Sequence, residues 1–354
     1  MSAQGLVPVK EYHDYRSTVR TDEQLWENSG WTVRGADSGT DYLFWASPYF
    51  IQGVRGGTYL PGRLALNQTL LITCPIDAPG ELTDNDFIAV GWDPVDYLSW
   101  DDVTVSGDDD LVEWEFQGRR FTAGPDSWRV DGTHAGVDSS LKISPAAAPM
   151  WFTDPGRDIR ETGNRWWIAN GRAVGELRSG DVSLSVDAHA VHERHIHLGR
   201  KHDPVRLLAD GGVVWFTISG DDITCAVLAR PSLGSAWAQL IIDGRPIEVR
   251  NEAISFSTER TWHDPATGML VGQSWRLSIE HEDGAVDFHI QAKARAYYTW
   301  NFLADGATML YWWLCSAEAT LTSPSTGRAA RVMTGLPAEA HLNRTFHRRH
   351  GSTR

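Results

Sequence analysis

An all-β chain of two consecutive modules is the fold class this sequence predicts, on three observations. Apolar and polar residues alternate with a period of two along much of the chain, and helical periodicity is hard to find. Short apolar runs are punctuated by Asp-Gly and Gly-Asp pairs of the kind tight hairpins use. The 354 residues exceed what one hydrophobic core usually serves, and a 42% hydrophobic content is enough to fill two. The expected architecture is two lipocalin-like or sandwich-barrel β domains with a ligand cavity in or between them.

The elements follow in order. Residues 22–28 (DEQLWEN) read as a short helix, one of few. Val103–Val105 and Leu111–Phe116 flank a Gly-Asp turn. Val182, Leu184 and Val186 alternate with Ser183, Ser185 and Asp187, a strand with one apolar and one polar face. Three hairpins then follow: Val213–Ile218 with Ile223–Leu228, Trp237–Ile242 with Arg245–Val249 around Asp243-Gly244, and Trp275–His281 with Ala285–Ala292. The polar segment His189–Pro204 is the expected junction, giving modules of residues 1–204 and 205–354. No exact internal repeat is visible, but both halves share the texture of a strand meander.

Composition removes several function classes. A net charge of -14 argues against nucleic-acid binding, which needs clustered Lys and Arg. The one basic run, Arg344 to Arg349, reads as a solvated tail. No apolar stretch approaches the ~20 residues of a membrane span. The first residues lack the layout of a secretory signal, and Cys74, Cys225 and Cys315 form neither a disulfide framework nor a zinc motif, so buried thiols and a reducing, cytoplasmic setting are expected. The phosphate-binding loop, the Gly-x-Gly-x-x-Gly turn and the Gly-x-Ser-x-Gly elbow are all missing, and no cofactor is expected.

Chemistry concentrates in residues 188–203 (AHAVHERHIHLGRKHD), which hold five of the thirteen histidines. If the strand from Val182 continues, His189, Glu193, His195 and His197 share one face and His192, Arg194 and Ile196 the other. A carboxyl beside two imidazoles suits general acid–base work near neutral pH. The same face also carries Ser183, Ser185 and Asp187, so it also reads as a plain solvent-facing surface. A third reading is a metal site on His195, His197 and His202, similar to the cupin His-x-His pattern. It lacks the acidic residue expected there, and Arg194, Arg200 and Lys201 oppose a divalent ion.

Seventeen tryptophans are the other unusual feature. Most should fill β cores. The remainder would line a cavity for flat or polyene molecules and stabilise a passing carbocation. Trp166, Trp167, Trp215, Trp300, Trp312 and Trp313 are the candidates for contact with a hydrophobic small-molecule ligand. Tyr297, Tyr298 and His289 are weaker candidates, better read as packing or exposed strand residues.

Three stretches resemble the carotenoid hydratase and AttH-like lipocalin superfamily, which includes kievitone hydratase-like proteins and fungal decalin-forming Diels–Alderases. They are Asp126–Pro145 (around SWRVDGTHAGVDSSLKIS), Gly175–Gly199, and the C-terminal meander. The last runs through AWAQLIIDGRPIEV, TWHDPATGMLVGQSWRLSIEHEDG and MLYWWLCSAEATLTSPSTGRAARVMTG. Many members carry an Asp-His pair followed closely by Trp and Gly. His195 matches that His, whereas Arg194 precedes it and Leu198 precedes Gly199. The resemblance implies two lipocalin-like domains and a cofactor-free lyase, isomerase or cyclase acting at a double bond of an isoprenoid- or polyketide-like molecule. Glu193 would be its acid or base, with His195 and His197 as partners. A non-catalytic carrier, and a metal-dependent hydrolase or oxygenase using the histidine cluster, are the alternatives.

Overall fold

Two curled antiparallel sheets make up the structure, a computed structural model that describes residues 12, 15–82, 95–108, 111–199, 212–231, 234–304, 306–322 and 330–347. The first contains β1 (Gln24–Asp37), β2 (Thr40–Gly53), β3 (Gly62–Pro75), β4 (Val95–Leu98), β5 (Thr104–Asp108), β6 (Leu111–Phe116), β7 (Arg119–Ala123), β8 (Trp128–His134), β9 (Val137–Pro145), the short β10 (Met150–Trp151), β11 (Asn164–Ser179) and β12 (Val182–Gly199). The order across it is β4-β3-β2-β1-β12-β11-β9-β8-β7-β6-β5, with β10 on β11. The second holds β13 (Val213–Ser219), β14 (Ile223–Arg230), β15 (Ser235–Ile242), β16 (Arg245–Arg250), β17 (Ile254–His263), β18 (Leu270–His281), β19 (Gly284–Trp300), β20 (Gly306–Thr322) and β21 (Arg331–His347). Its order is β16-β15-β14-β13-β21-β20-β19-β18-β17. Both sheets obey one rule: a four-strand meander runs out to an edge, and the last strand returns to pair with the first. Among the described residues, no helix is long and apolar enough to cross a membrane.

Period-two alternation gives each sheet two working faces. One face closes over its own core: Trp31, Trp114, Phe121, Trp128 and Trp167 in the first module, Phe216, Trp275, Phe288, Tyr311 and Trp313 in the second. The opposite faces of the long central strands meet each other, joined by Trp45, Ile51, Tyr298 and Trp312 on one side and by Met150, Ile168, Trp215 and Leu228 on the other. Asp243 and Gly244 both take positive φ, 49° and 77°, as the primed two-residue turn between β15 and β16 requires. All three cysteines are buried free thiols.

Two expectations are corrected. Residues 22–28 are not helical, for Gln24 onward is the start of β1. Paired on both sides, with β2 and with β12, that strand is buried on both faces, and sheet pairing overrides a weak local helix propensity. His189–Gly199 is no linker but the buried half of β12, which continues unbroken from Val182. The expected boundary near residue 205 lies outside the described residues.

A polar lock fastens one end of the contact between sheets. Arg34 on β1 reaches the second sheet, donating to the carbonyls of Cys315 at 2.7 Å and Ala338 at 2.9 Å, and lies 3.4 Å from Asp41. Lys293 on β19 completes it, pairing with Asp41 and donating to the Ile76 carbonyl at 2.7 Å. Buried charges hold only when paired and hydrogen-bonded in this way.

Candidate active site at the module interface

The outward face of β12 changes character along its length. Ser183, Ser185 and Asp187 are exposed, but beyond His189 the second sheet covers the strand and the same face becomes a cavity wall. The solvent-facing and the functional readings therefore each describe one half of a single strand. Glu193, His195 and His197 project into the cavity, while His192 and Arg194 point the other way. His192 stacks on Trp31 at 4.5 Å, and Arg194 pairs with Glu27 at 2.7 Å, both inside the first core.

Cross-strand register explains how the histidines are held. Trp166 on β11 lies opposite His195 and stacks on it, centroids 4.1 Å apart. Trp26 on β1 lies opposite His197 and stacks on that ring at 5.1 Å. Glu193 faces Gly30, whose missing side chain matters: a Cβ there would lie 1.9 Å from the Trp45 ring. The glycine thus lets an indole lie across β1 beside the carboxyl.

Glu193 has a single side-chain partner described, Asn28, whose Nδ2 donates to Oε1 at 2.8 Å. Ser47 fixes the amide by donating to Asn28 Oδ1 at 2.6 Å, which turns the NH2 toward the carboxyl. Desolvation raises the Glu193 pKa and the Asn28 hydrogen bond lowers it; desolvation wins, leaving it at about 7. Tyr49, also in the wall, is pushed well above the ordinary phenol value by burial and keeps its proton.

The second module supplies the facing wall. His341 on β21 lies between its cross-strand neighbours Trp215 and Trp312, with ring centroids 5.6 Å and 4.2 Å away. Burial pushes its pKa down to about 3, so the imidazole is neutral. Val213, Leu228, Arg230, Trp300, Leu310 and Asn343 also line this cleft, which is partly open to solvent.

Of the predicted ligand contacts, Trp166, Trp215, Trp300 and Trp312 line the cavity together with Glu193, His195 and His197. Trp167 and Trp313 do not. Each follows its cavity-facing neighbour by one position, so strand alternation sends it into a module core, Trp167 beside His192 and Trp313 against Trp275. Tyr298 packs nearby, its hydroxyl donating to Gln68 at 3.1 Å. His289 is exposed and sits 3.0 Å from Glu259. His202 lies outside the described residues, and among those described no three His, Cys, Asp or Glu side chains are grouped to hold a metal ion.

Asn28, Tyr49, Arg230, His341 and Asn343 were not found from sequence. One signal does point to His341. Trp166-Trp167 with Glu193-x-His195 recurs, 146 positions later, as Trp312-Trp313 with Glu339-x-His341. The pairing recurs too, Trp166 opposite His195 and Trp312 opposite His341.

No family model matches the chain, and neither does any curated protein. Among solved structures, an AttH candidate from Nitrosomonas europaea is similar at 14% identity and TM-score 0.55, over 92% of this chain and 93% of that one. CghA is similar at 12% identity and TM-score 0.53, over 91% and 89%. The structure of CghA with Sch210972 gives TM-score 0.51 over the same shares, also at 12% identity. The chain has the two-sheet fold of these proteins, so the resemblance read from the sequence holds at the level of the fold.

Proposed function

We propose that the cavity between the sheets takes up a hydrophobic, unsaturated small molecule and that Glu193 protonates it at a double bond. The chain would then be a cofactor-independent hydratase, dehydratase, isomerase or cyclase. The observation that carries this reading is the state of Glu193: a carboxyl with one hydrogen-bond donor, walled by indole rings, with its pKa raised to about 7. Asp41 and Asp264 are buried and paired with cations, whereas Glu193 opens onto the cavity. A group that is protonated just below neutrality instead has a proton to give.

The chemistry balances without any further group. The acid proton of Glu193 passes to one alkene carbon, and positive charge develops on the other. The faces of Trp26, Trp166 and Trp300 stabilise that charge through their ring quadrupoles. Loss of a proton from a neighbouring carbon to neutral His341 gives an isomer. Attack by water, with its second proton passing to an imidazole, gives a hydrated product. In either case a proton must return to Glu193 before the next turnover. The crystal structure of CghA with Sch210972 supports uptake of an added molecule by this fold.

The test is proton exchange. The chain is incubated in deuterated water with a panel of isoprenoid and polyketide-derived alkenes, and deuterium gain is read by mass spectrometry. Deuterium at a vinylic or allylic carbon, abolished in Glu193→Gln, is the expected result. Binding of a panel member with no exchange, and with equal affinity in Glu193→Gln, would make the chain a carrier.

A further inference from the structure

Arg230 ends β14 in the wall of the cavity, and its guanidinium lies over two indoles, 5.1 Å from the Trp166 ring centroid and 5.0 Å from that of Trp237. Such ring contacts engage the flat apolar surface of the cation and leave the N–H donors along its edge to bind. Among the described residues no carboxylate or carbonyl meets that edge, and the buried Nε has no acceptor.

Arg230 is half-buried, and the fully buried arginines are treated differently. Arg34, Arg194 and Arg295 each pair with a carboxylate, Asp41, Glu27 and Asp264 respectively. Arg119 and Arg165 donate to backbone carbonyls. A chain with 46 acidic against 32 basic residues has carboxylates to spare, and among the described residues none pairs with Arg230. The same cavity holds the indole N–H groups of Trp26, Trp166 and Trp300 without acceptors, beside Asn343 Oδ1 and His341 Nδ1, which also have no hydrogen-bond partner. Burial pulls the Arg230 pKa down.

We infer that the occupant of the cavity is an amphipathic anion, a hydrophobic molecule bearing a carboxylate or similar anionic oxygen group that seats on Arg230. This rests on the reading of the cavity as a ligand site and adds a head-group requirement to it. The anionic end is held at the β14 rim, and the unsaturated body extends along the tryptophans toward Glu193. The arrangement is self-consistent, because a protonated Glu193 does not repel an anion that enters the same cavity.

Two probes that differ only by the anionic group separate this inference from the broader one: 1-anilinonaphthalene-8-sulfonate and its uncharged parent N-phenyl-1-naphthylamine. Binding is followed at pH 6 by probe fluorescence and tryptophan quenching, with thermal melts to check folding. The wild type should bind the sulfonate at least about tenfold more tightly, the range expected of a charge-assisted bidentate contact. Arg230→Met should remove that preference and leave the neutral probe within about twofold, and Arg230→Lys should keep part of it. Trp166→Ala should weaken both probes. Equal wild-type affinities, or a sulfonate preference that survives in a folded Arg230→Met, would overturn the anion requirement while leaving the cavity reading intact. Failure of both probes to bind would overturn both.

Discussion

The two modules place the same three residue types at the same register, and one set faces the cavity while the other is partly sealed. In the first, Trp166 lies opposite His195, with Glu193 two residues before it. In the second, Trp312 lies opposite His341, with Glu339 two residues before it. The difference comes from the strand on the other side. Opposite His195, β1 offers Asn28; opposite His341, β13 offers Trp215. The amide gives Glu193 a hydrogen bond at the edge of open space. The indole helps cover its side, and Glu339 is wholly buried, beside Thr217, in the field of Arg34. Burial raises both carboxyls, Glu193 to about 7 and Glu339 to about 8. A perturbed pKa alone therefore does not mark the working acid; access to the cavity does.

The largest expected effect tests the sealed side. Arg34 lowers the pKa of Glu339 and fastens β1 to the second sheet. Arg34→Met leaves Asp41 and Lys293 in an incomplete buried network, and should cost roughly 3–5 kcal/mol in denaturant titrations. A loss below about 1 kcal/mol would mean that the lock is dispensable.

Next in size is the pH dependence of stability on the open side. Glu193 titrates near 4.5 when unfolded and near 7 when folded, so the native state holds this proton more tightly. Its contribution is fully present below pH 4.5 and is lost progressively between about pH 4.5 and 7. Glu193→Gln cannot lose it. Matched to wild type at pH 4, the variant should gain on it with rising pH, by up to about 3 kcal/mol at pH 7 and no more beyond. A constant difference across that range would contradict a raised pKa at Glu193.

The catalytic side of the comparison follows. Glu193→Gln should lower proton exchange at least about 100-fold, the usual scale of a lost general acid, while Glu339→Gln should leave it within a fewfold. Equal losses in both would mean that the two carboxyls act as one coupled pair, consistent with the field of Glu193 that helps to raise Glu339.

How much of this was legible follows strand geometry closely. The faces of β12 could be assigned from Val182, Leu184 and Val186, because alternation carries a parity down an unbroken strand. The same rule, applied to Trp166-Trp167 and Trp312-Trp313, would have divided each pair between cavity and core; naming both members of each missed that consequence. Asn28, Tyr49 and Arg230 could not be found this way. Their importance depends on which strand lies beside which, and β1 pairs with a strand more than 150 residues away. The misread helix at residues 22–28 has the same origin, since local propensity carries no information about two flanking partners.

The smallest predicted effect is the sharpest test of why one half works. Asn28 donates to the ionised form of Glu193 and so holds its pKa down, while Ser47 keeps the amide turned the right way. Asn28→Ala removes that donor without adding bulk to the cavity. The pKa should rise by about one unit, the scale of one hydrogen bond to a charged group in a half-buried site. Because the acid works in its protonated form, the fall in proton-exchange rate at high pH should move upward by the same amount, from near 7 toward 8. Ser47→Ala should give a smaller shift of the same sign, because the amide is freed to rotate but not removed. A limb that stays at its wild-type position in Asn28→Ala would show that desolvation alone sets the proton affinity of Glu193. The contrast between Asn28 and Trp215 would then reduce to one of access, with no electrostatic part.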